Sequence, residues 1–570
     1  MYKFKQLGLA VVVGLVSLGN NVWAAAPTYP IDSTVTTTLE RTVIPVPVPQ
    51  KAPKLLPTQF SEYTKNGYGL SSFGDGLKYD KRLDLMPVGY KGADNVSSLL
   101  NFFAMTDVHI TDKESPAQSL YLGYKGGIIS AYSPTMLYTT QMLDAAVQTV
   151  NALHEKKKFN FGISLGDNCN NNQLNELRWF IDVFDGKKIN PDSGKKDYNI
   201  RIKNDYQAKY QAAGLNSEIP WYQTIGNHDH FWLGVYPSVN KTSGTYIRDT
   251  YTGNQIIKMG NKLNLHNPVG IHNTYMGVID GKTEFGEVIG TGPVDSTANL
   301  KIVSDVNRRS LSRNEWMKEF LKSDSKPKGH GFTKENVNTG FACYSFKPKS
   351  DLPIKVIVLD DTQGDTEDNG SIYVFGSLDQ KRYDWLKKEL KDGQDNKELM
   401  IIAAHVPIDV DMQGMPGWSP TSFVNQNDLI TELHKYPNLI LWIAGHRHVN
   451  TVTAIKDTKI NPANNFWQVE TASLREFPQQ FRTFEIVRNS DNNISILTTD
   501  VDPAVKKGSL VEKSREAAIG AMQIFAPTPI SAQSSNPIAM KSCSYNAELV
   551  KQLTPEMQEI IKNIGTPILK

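Results

Sequence analysis

Five short polar segments, each lying directly behind an apolar run, hold most of the side chains in this sequence that are suited to bind a cation: Thr106-Asp107-Val108-His109, Gly166-Asp167-Asn168, Gly226-Asn227-His228-Asp229, His405-Val406-Pro407 and Gly445-His446-Arg447-His448. Five of the 11 histidines fall inside them. One such residue at a strand end is usually structural, so the weight rests on their joint occurrence. Carboxylate, amide oxygen and imidazole without thiolate suit Mn, Fe or Zn and argue against a calcium cage or an iron–sulfur cluster. Asp107 and His109 are two residues apart, so continued strand geometry places both on one face, able to grip one cation. Asp167 follows a glycine that permits close backbone approach, and its two carboxylate oxygens can bridge two ions. Asn227 offers a neutral carbonyl oxygen; His405, His446 and His448 offer ring nitrogens.

The runs in front of these segments are 99–105, 159–165, 221–225, 399–404 and 439–444, joined by 354–359 and 466–469. Each is short and rich in Ile, Val, Leu or aromatics, as expected of central strands buried on both faces. Between them, apolar residues recur at helical spacing. Ser133-Pro134 offers a helix start ahead of Leu137, Leu143, Val147 and Val150, and the pattern repeats through Leu174 to Phe184, Tyr383 to Leu390 and Leu429 to Leu433. Strands alternating with helices predict a layered α/β domain, and in such sheets ligands collect at the carboxyl ends of the strands.

D-x-H, GD, GNHD, a His behind a strand, and GHxH, in this order, resemble the calcineurin-like metallophosphoesterases, a superfamily of dinuclear-metal phosphoesterases, over about residues 97–500. The resemblance implies a two-sheet sandwich flanked by helices. It implies two transition-metal ions, one on Asp107, His109, Asp167 and His448, the other on Asp167, Asn227, His405 and His446. It also sets His228 beside the metals as a catalytic residue, with Asp229 behind it holding its tautomer. Two such cations make hydroxide available from water near neutral pH for an in-line displacement, and His228 is then placed to stabilise the transition state or protonate the leaving alkoxide. Purple acid phosphatases carry a Tyr three residues after the GD aspartate; Asn170 stands there, so no Tyr-ligated ferric centre is expected. Segments 470–475 and 477–480 are similar to an exported branch of the superfamily. Arg447 and Arg475 are candidate substrate-binding residues, since a guanidinium fork matches phosphate oxygens.

The 570 residues are 39% hydrophobic and 21% charged, the profile of a folded, soluble chain. A net charge of +2 leaves no basic stripe, and no nucleic-acid reading module is recognisable. Lys3 and Lys5, the apolar stretch 7–18 and Val22-Trp23-Ala24 read as a signal peptide cleaved after Ala24, so export to the periplasm or the medium is expected. That stretch falls short of the roughly 20 residues that span a bilayer, and no later segment is long and apolar enough. Beyond residues 1–24, the chain divides into an extended N-terminal arm (25–96), the metallophosphoesterase-like domain (97–500) with insertions at about 186–219 and 231–353, and a C-terminal tail (501–570) with one short helix near 555–564. Cys169, Cys343 and Cys543 allow at most one disulfide. The expected activity is metal-dependent hydrolysis of a small-molecule phosphoester. A diester is narrowly favoured over a monoester, because the tail is too short for the second domain a nucleotidase usually brings. The alternatives are a phosphomonoesterase or nucleotidase, and a catalytically idle metal-binding surface module.

Overall fold

Two sheets packed against one another hold the centre of the protein. In chain order their strands are β1 (Asp80–Leu85), β2 (Asn95–Met105), β3 (Phe161–Ser164), β4 (Trp221–Gln223), β5 (Tyr344–Phe346), β6 (Ile354–Val358), β7 (Leu399–Ala403), β8 (Leu439–Ala444), β9 (Thr451–Ile455), β10 (Phe466–Glu470), β11 (Phe481–Asn489), β12 (Ile494–Val501) and β13 (Ala547–Lys551). One sheet runs β1-β13-β12-β11-β2-β3-β4, with residues 566–567 added beside β2; the other runs β5-β6-β7-β8-β10-β9. The structure is a computed structural model that describes residues 31–55, 59–115, 134–194, 205–237, 305–362, 374–408, 422–525 and 533–568, with short pieces at 281–283, 286–288 and 418–419. The signal segment, most of 238–304 and most of the loop 409–421 lie outside the described residues.

The six-stranded sheet explains why its strands read as unbroken apolar runs. Val356, Val358, Ile401, Ala403, Leu441 and Ile443 face the core shared with the other sheet. Their neighbours Ile357, Met400, Ile402 and Trp442 face a second core. With period-two alternation, a strand that must be apolar on both faces shows no polar positions. The second core is closed by helices at Gln380–Asp395 and Gln426–Leu433 through Leu386, Leu390, Leu429 and Leu433. Asp379 and Asn425 start these helices by accepting the backbone N–H three residues on, at 2.7 and 2.9 Å. The central core holds the stack of Phe102 between Phe161 and Phe484, with ring centroids 4.6 and 4.9 Å apart. The helices Thr139–Lys156, Leu174–Phe184 and Arg313–Phe320 add Val147, Phe180 and Trp316 to it. The chain is therefore an α/β sandwich of two sheets flanked by helices.

Two stretches carry more structure than their composition suggests. Within 25–96, Arg41–Pro45 pairs with Ser71–Asp75, and β1 forms an edge of the larger sheet by parallel pairing with β13. The last 70 residues do include a helix at Pro555–Ile561, but also helices at Leu510–Phe525 and Pro537–Ser542 and the inserted strand β13. In β13 the buried Lys551 breaks the apolar run; its ammonium is satisfied by the carbonyls of Ala463 (2.6 Å) and Gln552 (2.9 Å). No helix among the described residues is long and apolar enough to cross a membrane. All three cysteines are free and buried.

Candidate metal centre

β2, β3 and β4 are parallel neighbours in one sheet, as are β7 and β8 in the other, so their carboxyl ends lie at corresponding edges. Past the strand ends the ladder continues: Asp107 N–H donates to the Gly166 carbonyl at 3.0 Å, and His109 N–H to that of Asp167 at 2.9 Å. Across the sheets, the Asp107 Oδ2 oxygen accepts the His446 N–H at 2.9 Å and the Thr106 hydroxyl at 2.6 Å, which leaves Oδ1 for the centre of the cluster. Gly445 is required between them, since a Cβ there would collide with the side chains of Thr106 and Asp107.

Strand geometry does not carry Asp107 and His109 to the site, as their spacing alone suggests. The strand stops at Met105, and both residues adopt left-handed backbone, with φ of 50° and 46°. Asp167 (54°), His446 (72°) and His448 (58°) share that conformation. Each such residue costs on the order of 1 kcal/mol or more, and strain of this kind gathers at functional sites. Five of the seven expected ligands thus occupy backbone that only surrounding structure can hold.

All seven converge. In one group, His448 Nε2 lies 3.1 Å from Asp107 Oδ1 and 3.2 Å from His109 Nε2. His109 Nε2 is 3.7 Å from both Asp107 Oδ1 and Asp167 Oδ2. In the other group, His405 Nε2 lies 3.3 Å from Asp167 Oδ2 and 2.9 Å from Asn227 Oδ1. His446 Nδ1 is 3.2 Å from that same amide oxygen and 3.3 Å from His405 Nε2. Asp167 belongs to both.

The donor chemistry fits two cations. His405 Nδ1–H donates to the Leu165 carbonyl at 2.8 Å, so the neutral ring presents Nε2 as a bare acceptor. Asn227 Nδ2 donates to the Gly234 carbonyl at 2.9 Å, which turns the amide oxygen toward that nitrogen. Acceptor therefore faces acceptor in a buried place, an arrangement that needs a proton or a cation between them. Ligands about 2.0–2.2 Å from a first-row ion lie roughly 3.0–3.5 Å from one another, close to the separations here. The carboxylates also call for positive charge. Although burial opposes protonation, Asp167 beside His405 pushes that ring up to about 10, and Glu476 and Asp107 push His448 up to about 10. Burial brings His446 and His228 down to about 3.

His228 stands at the half-exposed edge with His446 and His448. Its ring lies edge-on to His109, centroids 4.5 Å apart, and its N–H donates to Asp167 Oδ1 at 2.8 Å. A ring nitrogen of His228 is within 4.8 Å of ligand atoms of His109 and Asp167. The group that fixes its tautomer is the Asn170 carbonyl, 2.7 Å from Nδ1, and not Asp229. Asp229 instead accepts the backbone N–H groups of Asp167 (2.9 Å), Asn168 (3.0 Å), Cys169 (3.1 Å) and Gly226 (2.9 Å), clamping the GD turn to the GNHD turn. The two arginines part company as well. Arg447 is spent on Glu470, with Nε donating to Oε2 at 2.8 Å and Nη2 to Oε1. Arg475 is buried, with Nη1 donating to Asn170 Oδ1.

Of the residues that support the centre, Asp361 behind a strand and His230 beside GNHD could be read from the sequence as supports, whereas Glu476 escaped it. Asp361, ahead of β7, accepts the N–H groups of His405 and Val406 at 3.2 and 3.1 Å. Glu476 Oε1 sits 3.1 Å from His448 Nδ1, the partner that aims a ligand ring. The one signal for Glu476 is its place between the segments 470–475 and 477–480. His230 is buried behind the centre, 2.8 Å from Thr362 Oγ1.

The sequence matches no protein-family model and no curated protein. Among solved structures, the chain is similar to a dimetal phosphatase from Danio rerio at 10% identity and a TM-score of 0.37, covering 72% of this chain and 98% of that one. It is also similar to a protein assigned as a 5'-nucleotidase from Staphylococcus aureus, in complex with α-ketoglutarate, at 12% identity and a TM-score of 0.29, covering 74% of this chain and 58% of that one. Both scores are below 0.5, so what the site does rests on its own geometry.

Proposed function

We propose that this chain is an exported phosphoester hydrolase that works with two transition-metal ions and prefers phosphodiesters to phosphomonoesters. The observation that carries the reading is the facing of acceptor on acceptor where His405, its Nδ1–H given to the Leu165 carbonyl, turns Nε2 on Asn227 Oδ1 at 2.9 Å, with His446 Nδ1 3.2 Å from the same oxygen, beside a second group that shares Asp167. Asp107, His109, Asp167 and His448 would hold one ion, and Asp167, Asn227, His405 and His446 the other. When bound, the pair supplies hydroxide at neutral pH and neutralises charge on the phosphoryl oxygens.

The chain's own residues do the rest. With Nδ1–H held by the Asn170 carbonyl, neutral His228 presents Nε2 as an acceptor, so it takes a proton from the attacking water before it passes one to the departing oxygen. Asp229 fixes the backbone on which Asp167 and His228 sit. Lys3, Lys5 and the apolar stretch behind them support export.

The test is turnover of bis-p-nitrophenyl phosphate against p-nitrophenyl phosphate by mature protein in Mn-supplemented buffer. Faster diester turnover is expected. Faster monoester turnover reverses the substrate class, and no turnover of any phosphoester by folded, metal-replete protein rejects the hydrolase.

A further inference from the structure

Arg475 differs from four other buried arginines, each of which has a carboxylate; a fifth, Arg515, has none within 4.0 Å among the described residues but donates to the Pro503 carbonyl at 2.8 Å. Arg308 has Asp112 at 3.1 Å, Arg382 has Asp360 at 3.2 Å, Arg482 has Asp500 at 2.8 Å, and Arg313 pairs with Asp360. Arg475 is 1% exposed, yet among the described residues no carboxylate comes within 4.0 Å of its guanidinium. Nη1 donates to Asn170 Oδ1, while Nε and Nη2 have no partner. A buried guanidinium left with two open donors is costly, and a native structure keeps one where an anion completes it.

The group is also held in place against the metal centre. Ser473 Oγ donates to the Asp107 carbonyl at 2.7 Å and accepts the Arg475 N–H at 2.9 Å, so the backbone at Arg475 is tied to that of a ligand residue. Asn170 links the guanidinium to His228, since its carbonyl accepts from His228 Nδ1 at 2.7 Å. The positive charge is felt at both His109 and His228, where it adds to burial in keeping the rings neutral.

We infer that Arg475 is the anion grip of this site, its Nε and Nη2 donors holding a non-bridging oxygen of the substrate's phosphoryl group. The inference rests on the phosphoester reading above. Two adjacent N–H donors match the spacing of phosphate oxygens, and although burial brings the guanidinium down to about 10, it is charged near neutral pH. Arg447, the other candidate, has its fork closed by Glu470.

The test uses the Mn-loaded full chain with inorganic phosphate as the probe. Calorimetric affinity for phosphate, KM for the better ester and bound Mn are measured for wild type, Arg475→Gln and Arg475→Lys. Losing charged hydrogen bonds to an oxyanion weakens binding by about tenfold or more, so Arg475→Gln is expected to raise KM and the phosphate dissociation constant by that factor with bound Mn unchanged, and Arg475→Lys to lie between. If Arg475→Gln does not fold, Arg475→Lys alone must show the weakening. Folded variants that bind phosphate as wild type does overturn the grip and leave the hydrolase standing. Wild type that binds phosphate in an Arg475-dependent way but turns over no ester overturns the hydrolase and leaves the grip.

Discussion

Two buried polar regions of this protein can be set side by side. Between β11, β12 and β13, Arg482 pairs with Asp500 at 2.8 Å and donates to Thr498 Oγ1 (2.8 Å), the Tyr545 carbonyl (3.0 Å) and Asn450 Oδ1 (3.0 Å). Asp500 Oδ2 accepts the Tyr545 N–H at 2.7 Å. Most donors there meet acceptors, although Arg482 Nε has no partner, and Arg482, Thr498 and Asp500 lie within the strands β11 and β12. At the carboxyl ends of β2, β3, β4, β7 and β8 most of the side chains are buried too, with His228, His446 and His448 at the edge, but acceptor confronts acceptor and five of the expected ligands adopt left-handed backbone. Burial and polarity are common to both regions. What sets the second apart is an unbalanced set of lone pairs on backbone that must be held there.

The comparison can be broken at either end. Asp167→Asn removes the charge shared by the two groups. Several kcal/mol of transition-state stabilisation go with it, so turnover should fall roughly 10³-fold or more with loss of bound metal, read by steady-state assay and elemental analysis. Arg482→Met leaves Asp500 buried without its partner, which should cost about 3–5 kcal/mol in chemical denaturation while bound metal stays at two per chain. A folded Arg482→Met that loses metal would erase the distinction. His228→Ala separates chemistry from metal holding inside the site. Turnover should drop on the order of 10²-fold with metal content intact, and an unchanged rate removes His228 from the mechanism.

A smaller effect sharpens the contrast through a histidine outside the centre. His330 has both nitrogens satisfied, by the Trp221 carbonyl at 2.9 Å and Ser323 Oγ at 2.7 Å, and its ring stacks on Trp221 with centroids 3.6 Å apart. Burial pushes it down to about 4 from an ordinary 6.5. Between those values the unfolded chain takes up a proton that the folded chain refuses. The stabilisation is therefore complete above about pH 6.5 and lost as pH falls toward 4, on the order of 3 kcal/mol. His330→Gln should flatten the denaturation midpoint across that window, and a slope equal to wild type would assign the acid sensitivity elsewhere.

Much of this was legible in the residues. All seven apolar runs are strands, because strands buried on both faces leave an unbroken apolar signature, and the ligand motifs stand at their ends because that is where a parallel sheet exposes backbone to a ligand. Six strands, β1, β5, β9, β11, β12 and β13, lie outside those runs: β1 has four charged residues of six and only one buried, and β13 includes a lysine whose burial depends on carbonyls such as that of Ala463. Contacts between distant segments were the other gap. Motif order places Asp229 next to His228, but only the fold shows its carboxylate turned back onto four backbone N–H groups. Arg447 and Arg475 look alike in sequence, and their difference lies in Glu470, which faces one and not the other.

Manganese titration of the mature protein, followed by calorimetry and elemental analysis, addresses the central claim most directly. Two ions per chain are predicted, falling below two in Asp167→Asn. Folded wild-type protein that takes up no transition-metal ion, even in excess, would contradict the account.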